Sequence, residues 1–545
     1  MELSLGRLAD GKVEFGSLTL QWLVHTERTS YRLLNLVATR DANGVTLATE
    51  TGLGWDTAVS RAFRARIRLE PRPAGLDYWV TVAHPERVRA VKTVVQGLPS
   101  GSLRCVTEDG HIRIGARHRP REYPTDWATP FVWLQPDSSG VPRFVARCVP
   151  EPVSRKAFSA RLRPEGDTEL MLYEEAYAPR YGAEFSGSRW RLRATRSLMT
   201  ELEEHGSELA AVRGLTRFDC RQDVPPWARS CDLVIKLSGV DFNGLVHLDF
   251  ARMIKALKLL SRHGNLNRAV IYLVGWDGPF MRDYPRLEPA RELAVSASLQ
   301  DVVGAAHALG AKVVLHVNPV AASESIAMDP ARRSCQAVGF YSGPVTYPAR
   351  DWDGDGFVES GWVLMNPWCQ PHRGWVVENC ERLVRTYGVD GFFLADMQIY
   401  APDPRGDFYA GWKALVRELC DISEDMVLLG DGHADYVPSL TPIFEPHCRA
   451  DSAEFQLAVG RWGRSVAYSA VADPLNRAGA GPLVHAQHRP LKGVSPNVLP
   501  AVTIVRETLS TAMEEVYAAL EWARNWDALY GADRAVYADP KGAAA

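Results

Sequence analysis

Residues 372–400 read HRGWVVENCERLVRTYGVDGFFLADMQIY, and the two halves of this stretch obey different periods. In the first half Trp375, Val376, Cys380, Leu383, Val384 and Tyr387 recur every three or four residues, which predicts a helix with one buried stripe. Gly388 stands just past the last of them, where glycine accepts the left-handed conformation that closes a helix. The second half, 390–397, is apolar on both faces through Phe392, Phe393, Leu394 and Ala395, the pattern of a buried parallel strand. It ends on Asp396. A carboxylate is costly to bury alone, so Asp396 is expected to emerge at the strand's carboxyl end, where barrels and doubly wound sheets carry their chemistry. Asp390 lies about 20 Å away at the opposite end, where a turn role is expected.

The same grammar extends on either side. Residues 231–237, 269–274, 312–317 and 426–429 read as strands, and 248–260, 289–309 and 411–421 as helices. The remaining strands are sought at 442–444, 465–471 and 482–486, with 505–530 as closing helices. Regular strand–helix alternation implies parallel pairing with right-handed crossovers, and residues 231–545 suit a (β/α)8 TIM barrel. Residues 1–215 differ. Short runs at 13–23, 62–69, 77–83, 112–114, 131–134 and 143–148, separated by turn signals, predict an antiparallel β-sandwich, with a helix at 198–212. Between the two, 216–230 contains Pro225-Pro226 and has a linker's composition. The expected fold class is therefore multidomain, an N-terminal β-sandwich followed by an α/β barrel.

Composition removes several classes. With 62 basic and 65 acidic residues the formal charge is -3, which leaves no basic field to recruit nucleic acid. No apolar run is long enough to cross a membrane, and residues 1–16 lack a basic region followed by an apolar one, so a cytoplasmic location is expected. Nine cysteines without a C-x-x-C pair, several inside apolar segments, are expected to be reduced core residues. The 16 tryptophans suit either packing or stacking on sugar rings.

Each predicted barrel strand ends in polar groups: Trp276 and Asp277, His316 and Asn318, Asp396 and Gln398, Asp431 and His433. Strand ends converge on one rim, so these residues are expected to meet. Two carboxylates there suit glycoside hydrolysis, one attacking the anomeric carbon and the other protonating the leaving oxygen. Asp396 also suits a loop cap, and Asp431, within Gly-Asp-Gly-His, also suits a turn, with Asp435 and Glu445 as substitutes. His316, inside an apolar run, suits a core histidine as well as a ligand-facing one. Asp351, Asp353, Asp355 and Glu359 have the spacing of a calcium loop, but Trp362 occupies the position of its bidentate glutamate. An acidic hairpin without metal is the expectation there, and no cofactor is expected elsewhere.

The segments VIYLVGWDGPFMRDYPRLEP (270–289), AHALGAKVVLHVNP (306–319), MNPWCQPHRGWVVENCERLVRTYGVDGFFLADM (365–397) and VLLGDGHADYVPSLTPIF (427–444) resemble glycoside hydrolases related to the endo-α-N-acetylgalactosaminidases. REYPTDWATPFVWLQPDSSG (121–140) is similar to the β-sandwich of the same family. The resemblance implies a retaining mechanism with Asp396 as nucleophile. Its acid/base, a glutamate in that family, falls on Asp431, one methylene shorter. The expected partner is an oligosaccharide or simple glycoside. The rival expectations are a sugar-binding barrel that has lost its acid, and a metal-dependent lyase or isomerase.

Overall fold

A computed structural model describes residues 5–106, 111–112, 121–138, 142–241, 244–279, 285–340, 343–347, 362–446, 450, 452–468, 497–505, 513–514, 516–517 and 520–521. The chain divides into two compact units: 1–215 with 402–407 and 453–459, and 216–401 with 408–452 and 460–545.

The first unit is a sandwich of two antiparallel sheets, each of ten strands among the described residues. Lys156–Leu162, Thr168–Glu175, Val88–Leu98 and Leu18–Thr26 lie side by side in one; Phe131–Pro136, Arg143–Cys148, Trp190–Thr195, Gly75–Ala83 and Arg64–Arg72 do so in the other. Alternation decides what each strand buries. Leu18, Leu20, Trp22 and Val24 turn inward along one strand, and the Trp22 ring meets Tyr78 of the other sheet edge-on at 6.4 Å. The run expected at 13–23 is two strands, Lys12–Phe15 and Leu18–Thr26, because Gly16 takes a positive φ of 61° and turns the chain. The helix expected at 198–212 is α1 (Leu198–Arg213), capped by Ser197 and closed by left-handed Gly214.

The second unit is a closed barrel of eight parallel strands: β1 (Leu233–Ser238), β2 (Ala269–Val274), β3 (Lys312–Val317), β4 (Gly391–Leu394), β5 (Val427–Asp431), β6 (Ile443–Glu445), β7 (Arg464–Tyr468) and β8 (Val498–Ile504), which pairs back to β1. Val234, Val270, Val314, Phe393, Val427, Ile443, Val466 and Leu499 fill its interior. The eighth strand is thus VLPAVTI at 498–504, whereas the expected position 482–486 lies outside the described residues, as do most of 505–530.

Between strands run α2 (Phe250–Leu260), α3 (Leu299–Ala308), α4 (Gln370–Tyr387) and α5 (Phe408–Cys420). The helix expected from 289 begins ten residues later. Ser298 accepts the Asp301 amide while the Asp301 side chain accepts the Ser298 amide, a reciprocal cap that sets the start of α3. In α4 the buried stripe is His372, Val376, Cys380 and Leu383, and Gly388 closes the helix at φ 70°. Asp390 does serve the opposite end of the barrel: its carboxylate accepts the Val313 amide at 2.8 Å and pairs with Lys312 at 2.8 Å.

Two expectations are corrected. Residues 216–230 are not a bare connector. Phe218, Val224 and Ala228 are buried in the same cluster as the barrel interior, and the Arg464 guanidinium sits 4.3 Å above the Phe218 ring while donating to the Cys231 carbonyl. The amino-terminal mouth of a barrel needs such an apolar cover. Nor are all the cysteines reduced. Cys335 and Cys369 form a disulfide, Cα–Cα 5.3 Å, brought together where the Asn366 amide donates to the Cys335 carbonyl. Among the described residues, no helix is long and apolar enough to cross a membrane.

A non-reducing peptide map is expected to contain one Cys335–Cys369 cross-linked peptide, and Cys335→Ala/Cys369→Ala is expected to lower stability by about 2–4 kcal/mol in denaturant unfolding. Both residues alkylated without reduction would contradict the assignment.

Candidate active site

Asp396 leaves β4 two residues after its last paired position, in a left-handed conformation of φ 60°. Aspartate is among the few side chains that tolerate this region, at a cost of about 1–3 kcal/mol, so the surroundings must hold it there. They do so on every side. The Asn318 side-chain amide, at the end of β3, donates to Asp396 Oδ2 at 2.6 Å. Asn318 itself is fully buried, and its Oδ1 accepts the amides of Val320 and Ala321 at 3.2 and 2.9 Å, which fixes its orientation. The next amide, Met397 N–H, donates to Asp431 Oδ1 at 3.0 Å, and the Tyr436 hydroxyl donates to the Met397 carbonyl at 2.9 Å. Gln398 Oε1 accepts the His433 amide at 3.2 Å. Gly432 permits this approach: a Cβ there would lie 2.8 Å from that of Gln398, and its φ is 107°.

The structure therefore brings together Asp396, Asn318, Gln398, Asp431 and His433. Asp396 is half-buried, Asp431 is 9% exposed and His433 is buried. Asp431 ends β5 in register with Glu445, which ends β6 and is also buried.

The β2 residues behave differently. Trp276 is fully buried, its indole N–H donating to the His316 carbonyl at 2.9 Å, so it braces the ends of β2 and β3 and presents no face for a sugar to stack on. His316 is an interior residue, stacked on Phe393 and Tyr272 at 5.9 and 6.1 Å. Asp277 is also fully buried. Its Oδ2 accepts the Leu287 amide at 3.3 Å, and among the described residues Oδ1 has no hydrogen-bond partner. Burial pushes its carboxyl up to about 7, only partly offset by the amides of Leu287 and Arg286 and by the Arg286 charge.

Two residues not singled out as site residues belong to this end of the barrel: Tyr436, which holds the Met397 carbonyl, and Lys236, buried in the middle of β1. Lys236 had a legible signal, since it is the one charge in the apolar run LVIKLS. Among the described residues no group of three or more His, Cys, Asp or Glu could hold a metal. Residues 351–359, the candidate calcium loop, lie outside the described residues.

Fold and site together define a β-sandwich followed by a TIM barrel with acidic residues at the carboxyl ends of its central strands. The alpha-N-acetylgalactosaminidase NagBb from Bifidobacterium bifidum has a similar structure. In its GalNAc complex the TM-score is 0.64 at 11% identity, over 87% of this chain and 85% of that one. In its Gal-NHAc-DNJ complex the values are 0.62 and 12%, over 86% and 84%. The galactosidase domain of the alpha-galactosidase-sucrose kinase AgaSK is similar at 0.51 and 13%, over 94% and 72%. At these identities the likeness establishes the fold. No protein-family model and no curated sequence matches the chain.

Asp277 supplies a test of the buried geometry. Its pKa is raised on folding, so its contribution to stability is complete below the unfolded value of about 4 and is lost as pH rises through about 7. Asp277→Asn, which mimics the protonated form, is expected to match the wild type near pH 4. By about pH 8 it should be more stable by up to roughly 4 kcal/mol. A difference independent of pH would contradict the assignment.

Proposed function

We propose that the protein is a retaining glycoside hydrolase in which Asp396 is the nucleophile and Asp431 the acid/base. The observation that carries this reading is the clamp on residues 396–398, which presents one carboxylate at the carboxyl end of β4 and sets a second against the very next amide. A non-glycine residue in the left-handed region is strained, and the fully buried Asn318 holds this one with its carboxylate at the strand's end.

In this mechanism Asp396 attacks the anomeric carbon while Asp431 gives its proton to the departing oxygen, leaving a glycosyl ester on Asp396. Asp431, now a carboxylate, takes a proton from water as that water attacks the ester, which regenerates both groups with net retention. Asn318 keeps the Asp396 oxygen oriented, and His433 and Gln398 flank the sugar. The named activities of the similar structures make α-linked N-acetylgalactosamine and galactose the first sugars to test. The Cys335–Cys369 disulfide favours an oxidising compartment over the cytoplasm.

Asp396→Asn is expected to lower kcat on an activated aryl α-glycoside by at least ~10³-fold with an unchanged circular dichroism spectrum. Added azide should restore turnover and yield a glycosyl azide of inverted configuration. Near-normal hydrolysis by this variant would exclude Asp396 as nucleophile. Sugar binding by calorimetry without any hydrolysis in the wild type would favour a binding protein instead.

A further inference from the structure

Among the described residues of the barrel unit one tryptophan is exposed, Trp368, at 50%. Among the same residues no aromatic ring or cation packs on its indole. Its backbone, by contrast, is locked. Asn366 Oδ1 accepts the Trp368 amide at 2.9 Å, and the Asn366 amide donates to the Cys335 carbonyl at 2.8 Å. Arg373 Nη1 donates to the carbonyls of Pro367 and Trp368 at 3.0 and 2.9 Å, while its Nε donates to Glu418 of α5 at 2.9 Å. The next residue, Cys369, is tied to Cys335. Gly411, in the first turn of α5, permits the close approach: a Cβ there would lie 2.2 Å from the Trp368 nitrogen. None of these contacts uses the indole.

The position matters as much as the exposure. Barrel helices run back from the carboxyl ends of the strands, so Trp368, which lies against the starts of α4 and α5, is on the same face as Asp396. A short path joins the two. His372, in the first turn of α4, donates from Nε2 to the Pro319 carbonyl at 2.8 Å, and Pro319 follows the Asn318 that holds Asp396. The other strongly exposed large hydrophobics of the barrel unit, Leu245, Val295 and Met328, also lie on this face, in the segments that follow β1, β2 and β3.

An indole left in water gains nothing from burial, yet the segment that carries it is held in one conformation. Binding rewards that arrangement, because the ordering is complete before a ligand arrives. We propose that Trp368 is a stacking platform for a pyranose ring of the substrate beyond the sugar attacked by Asp396. One face of a pyranose is a sheet of C–H bonds that lies flat on an aromatic ring, while the hydroxyls at the ring's edge stay in water. The proposal rests on the reading of the protein as a glycoside hydrolase and deepens it. An oligosaccharide whose reacting sugar sits at Asp396 extends outward across the rim, and a fixed indole there selects such chains over simple monoglycosides.

Trp368→Ala removes the ring and keeps every backbone contact of the segment, so the variant is expected to fold. The ratio of kcat/KM on an α-linked trisaccharide to that on the aryl α-glycoside of the same terminal sugar should fall about tenfold or more, mainly through KM, and Trp368→Phe should recover most of it. An unchanged ratio, or a fall that Trp368→Phe does not recover, overturns the proposal. Wild-type dimers that Trp368→Ala makes monomeric, with the ratio unchanged, overturn it too and give the indole to a second copy of the chain. A binding measurement decides the matter without turnover. Asp396→Asn protein is applied to an array of α-galactosyl and α-N-acetylgalactosaminyl oligosaccharides, with and without Trp368→Ala or Trp368→Phe. Retention that is lost with Ala and kept with Phe supports the platform even if the wild type hydrolyses none of these glycans, in which case the enzymatic reading alone fails. Hydrolysis of them with no effect of Trp368→Ala on either readout removes the platform and leaves the enzyme. Failure of the Asp396→Asn protein to bind any arrayed glycan also overturns the proposal.

Discussion

The amide of Met397 donating to Asp431 is the contact on which the rest of the site depends. It joins the turn after β4 to the last residue of β5, and with the Asn318 side chain on one flank and the Tyr436 hydroxyl on the other it confines residues 396–398 to one conformation. A non-glycine residue in the left-handed region relaxes unless its neighbours prevent it. Here the neighbours come from the ends of β3 and β5, so the packing of adjacent barrel strands sets the position of Asp396. The spacing of strands in a parallel barrel varies little, which makes such a site rigid without a loop to order.

The same constraint explains the interior. Rigid strands alternate strictly, so any polar residue of inward parity is committed to the core whatever its charge. Lys236, Asp431 and Glu445 are so committed, and all three are buried. Asp277 Oδ1 has no hydrogen-bond partner among the described residues, and burial raises its carboxyl to about 7. Buried ionisable groups of this kind add little to stability and much to the tuning of proton affinity, which is why they cluster where proton transfer occurs.

Much of this was legible in the amino-acid order. A strand apolar on both faces and ending in an acid could be read directly from Phe392 to Asp396, as could the helix closed by Gly388. What escaped were features with no local signature. The left-handed turn at Asp396 depends on Asn318, 78 residues earlier. The last strand, VLPAVTI, carries Pro500, which suggests a break in a strand, and it runs straight into the helical pattern beginning at Val505. The proline-rich stretch 216–230 has the composition of a linker, yet Phe218, Val224 and Ala228 are needed to cover the barrel's mouth. Cys335 and Cys369 are 34 residues apart, and nothing in their spacing marks them as partners. Trp276, expected among the strand-end residues of the rim, is fully buried there with its indole N–H on the His316 carbonyl, a burial that its place after a strand does not reveal.

The central claim is that Asp396 forms a bond to the sugar. Incubation with a 5-fluoro-α-glycosyl fluoride of galactose or N-acetylgalactosamine, followed by proteolysis and mass spectrometry, tests it most directly. A single glycosyl adduct on the peptide carrying Asp396, absent after Asp396→Asn, is the predicted result. A label on Asp431 or Glu445, or turnover that leaves no labelled peptide, would contradict the account.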